Sequence, residues 1–400
     1  MIPVYLDNNA TTRTDPSVVE AMLPFFVEQF GNASSMHAFG AEVGTALGKA
    51  RKQLQALLGA EFDHEIVYTS GGTEADNAAI LSALETQTGR DEIITSAVEH
   101  PAILSLVAHL EKTRGITVHT IGVDARGRLD IEAYRKALGP KTAIVSIMWA
   151  NNETGTIFPV EQLAGLAHET GALFHTDAVQ AVGKIPIDLS ASEIDMLSLS
   201  GHKLHGPKGI GALYVRKGVR FRPLIRGGHQ ERGRRAGTEN APGIIGLGRA
   251  AELALEYMSD EQTRVAALRD RLEQGLLQRI GASFVTGDPD NRLPNTANVA
   301  FEYIEGEAIL LLMNRDGIAA SSGSACTSGS LEPSHVLRAM NVPYTAAHGA
   351  IRFSFSRENR DADVDHVLEA MPPIIEKLRE MSPFWRERDV RTDAFNPTYA

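Results

Sequence analysis

Between about residues 60 and 215 the chain alternates short apolar runs with longer amphipathic stretches, and few folds accept that rhythm. The runs are Ile66–Thr69, Glu92–Ser96, Thr117–Ile121, Ala143–Met148, Leu173–Thr176, Met196–Ser200 and Gly211–Val215. Most lack the apolar/polar alternation of a half-exposed strand, which suits strands buried on both faces of a parallel sheet. Stretches such as Ala75–Glu85, Pro101–Lys112 and Val160–Thr170 lie between them with helical character. Strand–helix alternation of this kind predicts an α/β domain with helices on both faces of one sheet.

After about residue 245 the pattern changes. A helical stretch from roughly Ile244 to Ile280, broken near Met258, leads to separate strands around Asn298–Glu302 and Ile351–Ser356. Helices are expected near Glu305–Asn314 and Asp363–Met381, the second interrupted or restarted at Pro372-Pro373. Asp15-Pro16, followed by Val18, Val19, Met22 and Leu23, reads as a capped helix start. The expected division is a large α/β domain over residues 16–258 and a smaller α+β domain built from 1–15 plus 259–400. A length of 400 residues, 43% of them hydrophobic, is enough for two such cores.

A formal net charge of -11 argues against general affinity for nucleic acid or an anionic membrane. No apolar run approaches the roughly 20 residues of a membrane helix. The N-terminus has neither the basic start nor the long apolar region of a secretory signal. The sequence holds one cysteine, Cys326. One thiol cannot close an internal disulfide, build a zinc site of paired cysteines or retain an iron–sulfur cluster, so no metal site is expected. A lone reduced thiol fits a cytoplasmic protein. Cys326 lies in Ser321-Ser-Gly-Ser-Ala-Cys-Thr-Ser-Gly-Ser330, otherwise only Gly, Ala, Ser and Thr. It can be a small buried hydrophobe, an incidental thiol on a connector, or a nucleophile on a mobile tether.

The segment Ser200-Gly-His-Lys-Leu-His-Gly-Pro-Lys-Gly209 bears on that choice. Lys203 follows an apolar strand and is flanked by Ser200, His202 and His205. A lysine that forms a Schiff base with pyridoxal phosphate needs such a setting, with hydroxyl and imidazole groups beside it for the phosphate. Alone, the lysine reads as a solvated loop residue, and its partners decide. Asp177, at the carboxyl end of the Leu173–Thr176 run, can pair with a pyridine nitrogen or serve as a turn aspartate. Gln180, three residues on, can donate to the ring oxygen. Ser70-Gly-Gly-Thr73 offers backbone N–H groups at a helix start, with the Thr73 hydroxyl, as an anion site or as a plain turn. It lacks the Gly-Lys-Ser/Thr ending of a nucleotide P-loop. His100, before Pro101, can stack on a pyridine ring and shuttle protons, or be structural. Asn151-Asn-Glu-Thr-Gly155 offers amides to a ligand. These pieces fall at the carboxyl ends of the expected strands, where α/β sheets place ligands.

The segments SGGTEADN, VEHPA, WANNETG, FHTDAVQ, SGHKLHGPKG, RAGTEN and SSGSACTSG resemble the cysteine desulfurases of the class V aminotransferase group. Tyr5-Leu-Asp-Asn-Asn-Ala-Thr-Thr12 and Gly31-Asn-Ala-Ser-Ser-Met-His37 match too, so the likeness runs over nearly the whole chain. GGHQERGRRAGTEN and GDPDNRLPNTAN are closer to the nitrogenase-associated (NifS-type) branch than to the housekeeping one. The resemblance implies a PLP-dependent transferase fold of the aspartate aminotransferase kind (fold type I) that converts L-cysteine to alanine. It implies that Lys203 carries pyridoxal 5'-phosphate and moves the Cα proton, and that Cys326 takes the sulfur as a persulfide. His100 becomes the proton shuttle. Gly72, Thr73, Ser200 and His202 become phosphate ligands, with Thr238 reaching in from a second subunit of a homodimer. Asp177, Gln180 and Asn152 position the ring, and Arg352 clamps the substrate carboxylate with help from Asn32. An iron–sulfur scaffold protein, in nitrogenase maturation, is the implied sulfur acceptor.

The thiol's chemistry agrees with that role. A free cysteine has a pKa of about 8.5, so it needs a base or a positive neighbour to attack at neutral pH, and His100 and Arg352 are candidates. Other readings are a selenocysteine lyase, a simple aminotransferase, a scaffold that holds iron and sulfur, and a nucleic-acid module using Arg226 to Arg235. The last has four arginines among glycines but no interleaved aromatic residues.

Overall fold

The computed structural model describes residues 3–322 and 333–387. The seven strand candidates form one sheet, in the order Ile66–Thr69, Gly211–Val215, Met196–Ser200, Leu173–Asp177, Thr142–Ser146, Glu92–Ser96, Thr117–Ile121. The expectation of an all-parallel sheet needs one correction: Gly211–Val215 runs antiparallel to both of its neighbours. The connection that precedes it, residues 201–210, is shorter than the dozen or more residues a parallel crossover requires. The chain therefore turns straight back, and Lys203 sits in that turn.

Alternate residues of each buried strand enter different cores. In Met196–Ser200, Met196 packs with Ala79, Ile80, Ile103 and Val107 on one face of the sheet. Its neighbour Leu197 joins the core that holds Val43, Leu54, Leu58, Ile244 and Leu247 on the other. The second face is covered by helices Ala38–Leu58 and Ala241–Glu256. The first of these helices is not apparent from propensity, because Gly40, Gly44 and Gly48 weaken its helical signal. Packing compensates. A Cβ at Gly248 would lie 2.6 Å from the Ala50 Cα, so the two helices meet at a distance only glycine permits.

The C-terminal part builds a four-stranded sheet in the order Ser321–Ser322, Ala350–Ser354, Thr296–Phe301, Ser283–Val285. A separate core of Leu272, Leu276, Phe301, Ile351, Phe353, Val367 and Met371 lies against it. Val4–Tyr5 pairs in parallel with Ile318–Ala319, which ties the N-terminal segment to this part. The expected break near Met258 takes the form of a short helix, Met258–Asp260, and a π-helical turn, Glu261–Val265. The expected interruption at Pro372-Pro373 does not occur: helix Asp361–Met381 is continuous. The Leu368 carbonyl, which a residue 372 N–H would have bonded, accepts from Arg279 Nη1 at 2.7 Å instead. Among the described residues no helix is long and apolar enough to cross a membrane.

Candidate active site

Where the carboxyl ends of the sheet meet the C-terminal part, a cavity of about 390 Å³ opens. Ten of the residues singled out from the sequence line it: Gly72, Thr73, His100, Asn152, Asp177, Gln180, Ser200, His202, Lys203 and Arg352. Three do not. Asn32 is exposed and its Oδ1 accepts from the Ser34 N–H at 2.9 Å. Thr238 is exposed on the loop before helix Ala241–Glu256. Cys326 lies outside the described residues.

Lys203 closes the short turn after strand Met196–Ser200. Its Nζ donates to the backbone carbonyl of Asn9, and to that of Ala10 at 2.7 Å. Burial, followed by repulsion from Arg352, lowers its pKa to about 8. A sizeable neutral fraction near physiological pH is what attack on a carbonyl requires.

Asp177 ends strand Leu173–Asp177, and its Oδ1 accepts the Val179 N–H at 2.9 Å. Burial raises its pKa, while the charges of His100 and Lys203 pull it back. Asp76, on helix Gly72–Thr86, is a second buried carboxyl on the cavity wall. Its pKa is raised well above the ordinary range, first by burial and then by the charge of Asp177.

His100 caps helix Pro101–Arg114, and its Nδ1 accepts the Ala102 N–H at 3.1 Å. That bond places the proton of the neutral ring on Nε2. The ring is open to solvent through the cavity yet crowded by protein elsewhere. That desolvation lowers its pKa, against the pull of Asp177 and with help from Lys203. His202 is pushed down to about 4, chiefly by burial, so it is a neutral ring with Nδ1 3.1 Å from Thr11 Oγ1.

The opposite wall comes from the C-terminal part. Arg352, on strand Ala350–Ser354, donates from Nη1 to the Asn152 carbonyl at 3.0 Å and from Nη2 to Asp7 Oδ1 at 2.8 Å. Its buried Nε has no hydrogen-bond partner among the described residues. A cation whose donors are only partly used is suited to a carboxylate ligand.

The set of groups fits pyridoxal phosphate. The start of helix Gly72–Thr86 faces the cavity with Gly72 and Thr73, beside Ser200 and His202, as an anion cradle. A Cβ at Gly72 would come within 2.8 Å of Val179 Cγ2, so glycine is needed for that approach. An amine, a ring-nitrogen partner and a cation for a carboxylate complete the complement.

Asn9 was missed as a site residue, although its segment is among the resembling ones. Its backbone carbonyl accepts from Lys203 and from Gln180 Nε2, the latter at 2.9 Å. Its Nδ2 donates to the Asn152 carbonyl at 3.1 Å and to Thr296 Oγ1 at 2.8 Å. Nothing in a single sequence marks an asparagine as a junction between distant segments. Asp76 was missed for a similar reason, since a carboxyl inside a helical stretch reads as a solvated face. Within the 226–235 stretch, Arg226 pairs with Glu85 at 3.1 Å, Arg232 with Asp63 at 3.9 Å and Arg235 with Glu74 at 3.0 Å.

Comparison with known proteins places the chain in a family. Residues 4–367 match the class-V aminotransferase family. The chain is 81% identical over 400 residues to a cysteine desulfurase of Gluconacetobacter diazotrophicus, covering all of both chains. It is 64% identical over 402 residues to the cysteine desulfurase NifS of Azotobacter vinelandii, again covering all of both. Among solved structures, a NifS-like protein superposes with a TM-score of 0.88 at 40% identity, covering 94% of this chain and all of that one.

Proposed function

This chain belongs to the class-V aminotransferase family and, within it, to the cysteine desulfurases; we propose that its desulfurase chemistry is carried by Lys203, His100, Arg352 and Cys326 around a pyridoxal phosphate held in the 390 Å³ cavity. The observation that carries the reading is the joint placement of Lys203, Asp177 and Arg352 on the walls of one cavity. When bound, the cofactor supplies an electron-accepting ring joined to the substrate's amino group, which weakens the bonds of the adjacent carbons.

The chain's own residues do the rest. Gly72, Thr73, Ser200 and His202 hold the phosphate, and Asp177 keeps the ring nitrogen protonated. Gln180 and Asn152 orient the ring. Arg352 holds the carboxylate of L-cysteine, which turns the amine toward Lys203. Lys203, as a neutral amine, takes the Cα proton; as the carbon–sulfur bond breaks, one proton goes to Cβ and one, that of a thiol, restores Cα. His100 holds and moves a proton at Nε2 for the substrate thiol or for Cys326. The Cys326 thiolate attacks the substrate sulfur, so that L-cysteine and one thiol become alanine and one persulfide.

Two described contacts support this use of Cys326. Ser321 pairs with Arg352 in the small sheet, and His335 Nε2 lies 2.9 Å from the carbonyl of Glu99, next to His100. Both flanks of the segment are thus rooted at the cavity rim.

Division of the chain into a cofactor domain over 16–258 and a smaller domain of 1–15 plus 259–400 follows the same reading. The exposed Leu23, Phe26, Val27, Phe30, Met36 and Phe39 support a homodimer, in which Thr238 would serve the second subunit's phosphate. The NifS likeness favours an iron–sulfur scaffold in nitrogenase maturation as the acceptor, in the cytoplasm. The test is reconstitution with pyridoxal phosphate: the protein should take up the cofactor with a visible absorption band, and Lys203→Ala should lose that band. An undiminished band in Lys203→Ala would refute the assignment.

A further inference from the structure

Lys184 lies behind the cavity wall, four residues beyond Gln180, and is buried. Its Nζ donates to Gln180 Oε1 at 2.7 Å and to Asn9 Oδ1 at 3.1 Å. An ammonium offers only donors, so the two side-chain atoms facing it are oxygens. The Asn9 backbone carbonyl offers only an acceptor, so the Gln180 atom 2.9 Å from it is Nε2. Both ends of the Gln180 amide are therefore assigned by chemistry. Asn9 is locked in the same way, since its Oδ1 also accepts from Asn295 Nδ2 at 3.1 Å.

Gln180 lines the main cavity and Lys184 does not. Lys184 faces a second cavity of about 20 Å³ behind Lys203, whose walls also include His205, Glu261 and Arg357. Burying an ammonium is costly. Burial lowers the Lys184 pKa to about 7, with Lys203 and Arg352 adding repulsion and Glu261 opposing it. An apolar side chain would fill the same space without that cost, so the donor itself is the feature to explain.

We propose that Lys184 is a positioning residue for the pyridoxal-phosphate site: by occupying Gln180 Oε1 it obliges Gln180 to present an N–H, and never its carbonyl, to the cofactor's ring oxygen. One of the two Nε2 hydrogens goes to Asn9, and the other is left for a ligand. Without the ammonium only the Asn9 carbonyl holds the amide, so one contact instead of two opposes a turn of its oxygen toward an anionic ring oxygen, where it repels. The inference rests on the reading of Lys203 as the cofactor lysine.

The test titrates cofactor-free protein with pyridoxal phosphate and follows the visible band for wild type, Lys184→Met, Gln180→Ala and the double variant. Lys184→Met is expected to weaken binding about tenfold and to shift the absorption maximum, and the double variant to bind no more weakly than Gln180→Ala. Wild-type affinity and spectrum in Lys184→Met, or losses that add, would overturn the inference. Gln180→Glu keeps an acceptor for Lys184 while deleting the N–H, so it tests the same point should Lys184→Met not fold. It is expected to bind about tenfold more weakly; unchanged binding would overturn the inference. Failure of wild type itself to take up the cofactor would instead refute the reading of Lys203.

Discussion

Arg352 Nη2 lies 2.8 Å from Asp7 Oδ1, a bridge between residues 345 positions apart. The acid comes from the N-terminal segment and the arginine from strand Ala350–Ser354. A third segment joins through the Asn152 carbonyl on Nη1. The cation on the cavity wall is thus fixed in direction before any carboxylate arrives, and such preorganisation is what substrate alignment needs.

Arg352→Lys should therefore weaken substrate binding. A lysine cannot reproduce a planar fork held at two points. Hydrogen bonds to charged groups contribute about 1.5–3 kcal/mol. KM for L-cysteine should rise roughly ten- to hundredfold by the same arithmetic. Steady-state kinetics checks this, and an unchanged KM would remove Arg352 from the substrate site.

Asn9→Ala should lower both stability and cofactor affinity. The substitution strips a partner from Lys184, Asn295 and Thr296, all buried. Buried groups left without partners cost about 1–3 kcal/mol each. A fall in Tm without any change in affinity for pyridoxal phosphate would confine Asn9 to a structural role.

Glu99 predicts a pH dependence of stability. Its Oε1 accepts from Ser96 Oγ at 2.5 Å and from the Met148 N–H at 2.9 Å, while Oε2 has no partner among the described residues. Burial raises its pKa to about 8 from an ordinary 4.5. Between those values the folded chain keeps a proton that the unfolded chain has released, so this group's contribution to stability falls as pH rises. Denaturant unfolding of Glu99→Gln should show a shallower loss of stability across that window than wild type. Identical slopes would contradict the assignment.

Gly248→Ala should destabilise the protein by about 1–3 kcal/mol, the usual cost of overpacking. The new methyl would meet the Ala50 Cα at 2.6 Å. Chemical denaturation measures it, and a neutral result would mean that helices Ala38–Leu58 and Ala241–Glu256 can move apart freely.

Much of the large sheet was legible because each strand is a short apolar run bounded by turn residues, as in Met196–Ser200. The reversal of Gly211–Val215 was not, because a buried strand shows the same residues in either direction. The helix at Ala38–Leu58 was hidden by Gly40, Gly44 and Gly48, of which only Gly40 sits at a close approach, where a Cβ would lie 2.4 Å from the Ser35 carbonyl oxygen. Pro372 and Pro373 suggested a break, since the Arg279 side chain that satisfies the Leu368 carbonyl lies 89 residues away. In the site, residues beside a recognisable turn, such as Lys203, Asp177 and Thr73, stood out. Asn9, Asp76 and Lys184 did not, because their importance comes from partners remote in sequence.

The most direct measurement gives the purified protein, reconstituted with pyridoxal phosphate, L-cysteine and a thiol reductant, and follows alanine and sulfide together. Equal yields of the two are predicted, with both falling to background in Cys326→Ala while the visible absorption band remains. Undiminished sulfide release by Cys326→Ala, or pyruvate in place of alanine, would contradict the account.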